Sequence, residues 1–385
     1  MSKARSMFCG AAVLAAALAG GCATSQKSQS AAAPSTFPGP ATVPKKDRVL
    51  WEYRNGLSAM RKGDFATSKQ LFDDAILTLQ GIYGKDVSAK KARGYFSEEA
   101  KKNFLGEPYE RVMAYWYRGI MYWMDGEPDN ARACFKSAQL MDSDAENKEF
   151  AADYASLEYL DGYASVKLNG DGSDSLERAQ KFSKIGQLPA YDKDANVLVF
   201  LEFGTGPTKY ATGEYSEQLR FRMAPSQVQG AWVRVANKKI RIGPYDDLNF
   251  QATTRGGRVM DHVLANKAVF KGTTDAIGTG ALVSGGVLAA TQRGDAQIVG
   301  LGLLAAGALT KIVSGAATAE ADTRSWDNLP QYVSFTPLKL APGTYDGAVD
   351  FTDAAGNVVM TKTFKFTTPG PDGRDAVIFL SDKST

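Results

Sequence analysis

The fold reading turns on the stretch Tyr115-Trp116-Tyr117-Arg118-Gly119-Ile120-Met121-Tyr122-Trp123, followed by Gly126-Glu127-Pro128-Asp129 and then by Ala131-Arg132-Ala133-Cys134-Phe135-Lys136-Ser137-Ala138. Apolar and small residues recur here at three- and four-residue spacing on both sides of a Gly-Glu-Pro-Asp turn, which is the pattern of two antiparallel helices. Gly119, Ala131 and Ala138 are small enough to let the helices approach closely, and Phe135 is placed to fill the groove between them. The aromatic run reads first as core, because helix pairing consumes rings at this spacing. A second reading gives Tyr115 and Tyr122 to a protein partner.

An earlier stretch repeats the pattern, with Gly56, Ser68, Phe72 and Ala75 at the corresponding places and Gly63-Asp64 as the turn. In both copies the unit resembles a tetratricopeptide repeat, which implies stacked helix pairs with a concave surface that takes a peptide or protein segment. Gly56 and Gly119 stand 63 residues apart, so an irregular, charged insertion over 81–110 separates the copies. A third, degenerate pair is read over 150–182, with Gly162 as its small residue and 169–175 as an enlarged turn. The helical region as a whole is expected over 48–188.

Beyond Pro189 the period changes. Asn196-Val197-Leu198-Val199-Phe200-Leu201-Glu202-Phe203 is a continuous apolar run with the character of a buried strand. Short runs at 219–223, 232–235 and 239–242 extend a β-rich region placed at 193–275. Strands at 332–335, 344–351, 358–366 and 376–380, with a hairpin connection at 354–357, form a C-terminal β segment placed at 319–385. That segment resembles a small sandwich of the Ig-like kind. The expected class is therefore α+β, with tetratricopeptide-like helices preceding an antiparallel, sandwich-like sheet region. Gly204-Thr205-Gly206-Pro207-Thr208-Lys209 is not a nucleotide loop, because Lys209 occupies the third glycine position of the dinucleotide fingerprint and no Gly-Lys-Ser/Thr follows.

Between the β regions, 276–318 is rich in Gly and Ala, with uncharged arms at 276–292 and 296–310 separated by Arg293-Gly294-Asp295. Small residues at four-residue spacing read as a helical hairpin. Each arm falls short of the roughly 20 residues a membrane-spanning helix needs. Three placements stay open: buried against the β region or within a homo-oligomer, dipping into a membrane, or refolding on assembly.

At the N-terminus, Lys3 and Arg5 precede an apolar run over 7–18, and Ala19-Gly20-Gly21 leads into Cys22. This resembles a bacterial lipoprotein signal, with 1–21 removed, Cys22 acylated and 22–47 a flexible tether of Ser, Ala, Gln, Pro and Lys. Ala23, where Asp would retain such a protein at the inner membrane, implies the periplasmic side of the outer membrane. The chain of 385 residues is 44% hydrophobic with a formal charge of +3. Removing Lys3 and Arg5 leaves 3 − 2 = +1, too near neutral to point to nucleic acid. With Cys9 in the signal and Cys22 acylated, Cys134 has no partner for a disulfide and reads as a small helix residue. His262 is the only histidine, so there is no second histidine for a metal pair or a second catalytic base; it reads as a hydrogen-bonded structural residue, and no cofactor or metal is expected. Arg324 is placed to pair with Asp322 and stack on the neighbouring Trp326.

Four fragments together resemble a family of uncharacterised bacterial outer-membrane lipoproteins with a repeat-containing N-terminal half. They are Gly106-Glu107-Pro108-Tyr109-Glu110-Arg111 with the repeat that follows it, Phe203-Gly204-Thr205-Gly206-Pro207, Ala321-Asp322-Thr323-Arg324-Ser325-Trp326, and Leu329-Pro330. The resemblance implies a lipid-anchored periplasmic protein, in some cases accompanying cell-wall synthesis factors, and carries over no catalytic residue. The expectation is a non-enzymatic envelope scaffold that binds a protein partner through its repeats. The alternative is a subunit of a secretion or export assembly that uses 276–318 for insertion or oligomerisation, and a carboxylate-dependent envelope hydrolase comes third.

Overall fold

Glycine and its aromatic partner fix the helical layer. The computed structural model describes residues 42–83, 103–143, 150–184, 188–214, 216–254 and 320–383. Six of its helices are α1 (Arg48–Arg61), α2 (Phe65–Tyr83), α3 (Pro108–Met124), α4 (Pro128–Asp142), α5 (Ala155–Lys167) and α6 (Ser173–Phe182). They pair as α1 with α2, α3 with α4 and α5 with α6, and the pairs pack side by side in chain order. A Cβ at Gly56 would lie 3.1 Å from the Phe72 ring, and one at Gly119 would lie 2.6 Å from the Phe135 ring. Both rings sit 16 residues after their glycine, so two helix pairs use the same contact at the same position. In the third pair the ring comes from outside: Tyr191 lies against Gly162 and donates its hydroxyl to the Tyr159 carbonyl at 3.0 Å.

The strands follow in sequence: β1 (Val197–Phe203), β2 (Thr208–Thr212), β3 (Gln218–Arg222), β4 (Gly230–Val235), β5 (Lys238–Ile242) and β6 (Asp246–Asp247), then helix α7 (Leu248–Thr254). After residues 255–319 come β7 (Tyr332–Leu338), β8 (Gly343–Thr352), β9 (Val358–Thr368) and β10 (Ala376–Ser381). One sheet has the order β10-β1-β7-β6, the other β5-β4-β8-β9, and β2 and β3 form a separate two-stranded ribbon. All ladders are antiparallel except β1 with β10, which is parallel. The class is thus mixed α+β, with the helices in the N-terminal half.

The run 197–203 is uninterrupted because both faces of β1 are buried. Leu198 and Phe200 face the helices, in one apolar core with Tyr53, Phe72, Trp116, Trp123, Tyr163 and Phe335. Val197, Val199, Leu201 and Phe203 face the second sheet, packed with Val233, Val349 and Phe351. The molecule is therefore layered as helices, first sheet, second sheet. The change of period near 188 marks where the helices end in sequence, but the core continues across it. Likewise, 320–383 is shared out: β7 and β10 complete the first sheet, while β8 and β9 complete the second. All described residues fall within one compact unit, Pro40–Thr385.

Candidate functional site

Three of the fragments that stand far apart in sequence meet at one buried carboxylate, Glu110. It lies in the first turn of α3, where Pro108 opens the helix and Glu107 and Glu110 form a reciprocal capping box. Glu110 Oε2 accepts the Glu107 backbone N–H at 2.7 Å and the Lys209 ammonium at 2.5 Å. Oε1 accepts the backbone N–H of Trp326 at 2.7 Å. Lys209, whose side chain is 1% exposed, also donates to the Arg324 carbonyl at 3.0 Å. The turn after β1 delivers Lys209 here, and that turn is itself pinned. Gly206 donates to the Leu329 carbonyl at 3.1 Å, and a Cβ at Gly206 would stand 2.7 Å from the Pro330 carbonyl oxygen.

The segment 322–328 lies along α1. Arg324 pairs with Asp322 at 2.6 Å, as the sequence indicated, and also with Asp47 at 2.8 Å. The ring beside its guanidinium is Phe104, 5.5 Å away, rather than Trp326. Trp326 instead points inward and stacks on Tyr53 with centroids 4.4 Å apart. Arg54 donates to the Ser325 carbonyl at 2.6 Å, and Asn328 donates to the Arg54 carbonyl at 3.0 Å.

A second buried cluster ties the helices to β1. Glu202 Oε1 meets Arg61 Nε at 2.5 Å, with both side chains nearly inaccessible. The Tyr117 hydroxyl donates to Glu202 Oε2. Burial first, and the Glu202 charge second, push the Tyr117 hydroxyl well above the ordinary phenol range, so it remains a donor. A third tie closes the other end: Asp246 in β6 accepts the backbone N–H groups of Ala155 and Ser156 at 2.8 and 2.9 Å, capping α5 from a distant part of the chain. Burial pushes the Asp246 carboxyl up to about 6, against the pull of those hydrogen bonds.

These groups have their polar atoms turned toward the protein itself. What the arrangement does chemically is hold four segments in register; each cluster costs more to break than to leave unbuilt, because a lone buried charge would remain. Among the described residues no group of three or more His, Cys, Asp or Glu is placed to hold a metal ion. Burial pushes the Cys134 thiol up to about 12, which keeps it protonated and poorly nucleophilic.

Tyr115 is 4% exposed and lies inside the helix layer. Tyr122 is half-buried at the seam between α2 and α3, with the Arg118 guanidinium 3.5 Å above its ring and Arg118 in turn paired with Asp73. Tyr115 thus presents no open face, and one face of the Tyr122 ring is covered by Arg118. Cys22, the tether, most of the insertion, His262 and the whole of 276–318 lie outside the described residues. Glu110, Lys209 and Arg324 were carried by fragments conspicuous in the sequence. Glu202, Arg61, Tyr117 and Asp246 had no local signal, since each is paired across at least 85 residues.

No family model, curated protein or solved structure matches this chain.

Proposed function

We propose that this chain is a lipid-anchored, non-catalytic adaptor of the bacterial cell envelope, held through Cys22 at the periplasmic side of the outer membrane. In this reading its tetratricopeptide-like helix pairs present a fixed surface to a protein partner. The inner aromatic face of the helices is filled by the chain's own first sheet, through Phe200, Phe335 and Phe379, so the surface left for a partner is the outer one. The observation that carries the proposal is a repeated exposure there. Leu77 on α2 and Leu140 on α4 are 64% and 66% exposed, and each stands 21 residues after its repeat glycine. Two large apolar side chains at the same position of neighbouring helix pairs form a regular contact row, which isolated surface leucines do not.

The test is cross-linked affinity capture from envelopes, comparing the unaltered protein with Leu77→Glu/Leu140→Glu and with Cys22→Ala. The adaptor reading expects the leucine variant to fold and stay in the membrane fraction while losing its partner. Cys22→Ala should lose acyl labelling and become extractable from membranes by high salt, which leaves the acylated protein in place. If the leucine variant captures the same partner in the same yield, the outer helices are not the contact surface.

A further inference from the structure

The β2–β3 ribbon stands apart from both sheets and divides its residues sharply by face. Lys209, Ala211, Leu219 and Phe221 point inward. Lys209 reaches Glu110, Phe221 packs edge-on against Tyr109, and Leu219 is buried with Ala321. The outward row across the two strands is Thr208, Tyr210, Thr212, Gln218, Arg220 and Arg222, which contains two arginines and no carboxylate. Tyr210 and the following Met223 are 37% and 54% exposed. The Arg222 guanidinium lies 5.3 Å from the centre of the Tyr210 ring, and among the described residues Arg220 donates only to Gln218 and to the Leu219 carbonyl. The carboxylates of Glu214 and Glu217 lie at the tip, beyond the strand pair, with Glu217 buried against Gly213.

A cationic row flanked by an exposed Tyr and Met suits the boundary of an anionic bilayer. There arginine meets lipid phosphate, and an amphipathic ring has one end apolar and the other wet. The chain path agrees with that occupant. Helix α7, which ends at Thr254, packs against β3. The chain resumes at Glu320, and Ala321 donates to the Ser216 carbonyl at 2.8 Å on the inner side of the ribbon. The chain outside the described residues, 255–319, thus begins and ends beside this ribbon, and its sequence includes the uncharged stretches 276–292 and 296–310.

We infer that the outward face of the β2–β3 ribbon is a membrane-contact surface that lies on an anionic bilayer, with Arg220 and Arg222 engaging lipid phosphates and Tyr210 and Met223 resting at the headgroup boundary. This contact is independent of the lipid anchor and fixes which side of the protein faces the membrane.

The experiment is co-sedimentation of the full chain carrying Cys22→Ala with vesicles of phosphatidylcholine plus phosphatidylglycerol, and with vesicles of phosphatidylcholine alone. Binding is expected to favour the anionic vesicles and to fall as salt rises. Arg220→Gln/Arg222→Gln should weaken binding to the anionic vesicles by about 30-fold, from about 5-fold per basic residue on an anionic leaflet. Tyr210→Ser/Met223→Ser should weaken it at high salt as well. All four side chains are exposed, so melting temperature should be unchanged and serves as the folding control. Equal binding to both vesicle types, insensitivity to loss of the arginines, or no binding to either would overturn the inference.

Discussion

At Lys209 and Glu110, one methylene-tethered ammonium holds together segments separated by 99 residues. Lys209→Met should destabilise the fold by about 3–5 kcal/mol, because it strands a buried carboxylate. Adding Glu110→Gln to that variant should cost less than the two single changes summed. A double-mutant cycle by urea denaturation checks this, and strict additivity would show that the pair does not interact. Asp246 makes a pH prediction. Its carboxyl is held above the ordinary carboxylate range, at about 6, so the folded state binds a proton that the unfolded state releases earlier. The stability this provides is complete below the unfolded value and is lost as pH rises through about 6. Asp246→Asn should flatten that decline between about pH 4 and pH 6, a span set by the two values. Denaturation midpoints across the interval measure it, and an unchanged slope would assign the titration elsewhere. Of the site's ion pairs, only that of Arg324 with Asp322 was legible, because its partners stand two residues apart; Lys209 and Glu110 stood in conspicuous fragments with no local sign of their pairing. Asp246 was not legible, because a cap supplied from 91 residues away leaves no mark next to the helix it caps.

At the scale of elements, the helix pairs rest on glycines that accommodate a ring. Gly119→Ala must displace Phe135 from a 2.6 Å approach, whereas Gly56→Ala must shift Phe72 by only a few tenths of an ångström from 3.1 Å. Gly119→Ala is therefore expected to cost about 1–3 kcal/mol and Gly56→Ala less. Thermal melts of the two variants decide the order, and the reverse order would mean the contacts are not equivalent. These elements were readable because a small residue followed by a ring 16 positions later is a local, repeated pattern. The runs expected as strands at 332–335, 344–351 and 358–366 fall inside β7, β8 and β9, and the apolar run at 196–203 contains β1, because apolar runs bounded by turn residues mark strands. The strand β2 was not readable. Its residues Thr208 to Thr212 follow Gly204-Thr205-Gly206-Pro207, and pairing with β3 rather than hydrophobicity makes them extended. Sheet membership was equally hidden, because alternation reports which residues face a core but not which sheet a strand joins.

At the scale of the whole molecule, the decisive fact is that β1 has helices on one face and a second sheet on the other. Sequence order separates helices from strands, and their packing fuses them. A helix layer built this way keeps its outer surface at fixed spacing, since the helix pairs are clamped from inside by Trp326, Phe200 and Phe335. Truncation after Thr368 removes β10, the parallel neighbour of β1 whose Val377 and Phe379 pack toward the helices while Ala376 and Ile378 pack toward the second sheet. Such a chain should lose co-operative unfolding in both layers, as read by circular dichroism during a thermal melt. Retention of a sharp helical transition would show that the helices stand alone.

The most direct test of that layered unity is native-state hydrogen exchange of the full chain under increasing urea, followed segment by segment. The most protected amides of α3, β1 and β8 are expected to merge into a single opening of the same free energy and the same urea dependence. Exchange of the α1–α6 helices through a separate, lower-energy opening, with the two sheets still protected, would contradict it.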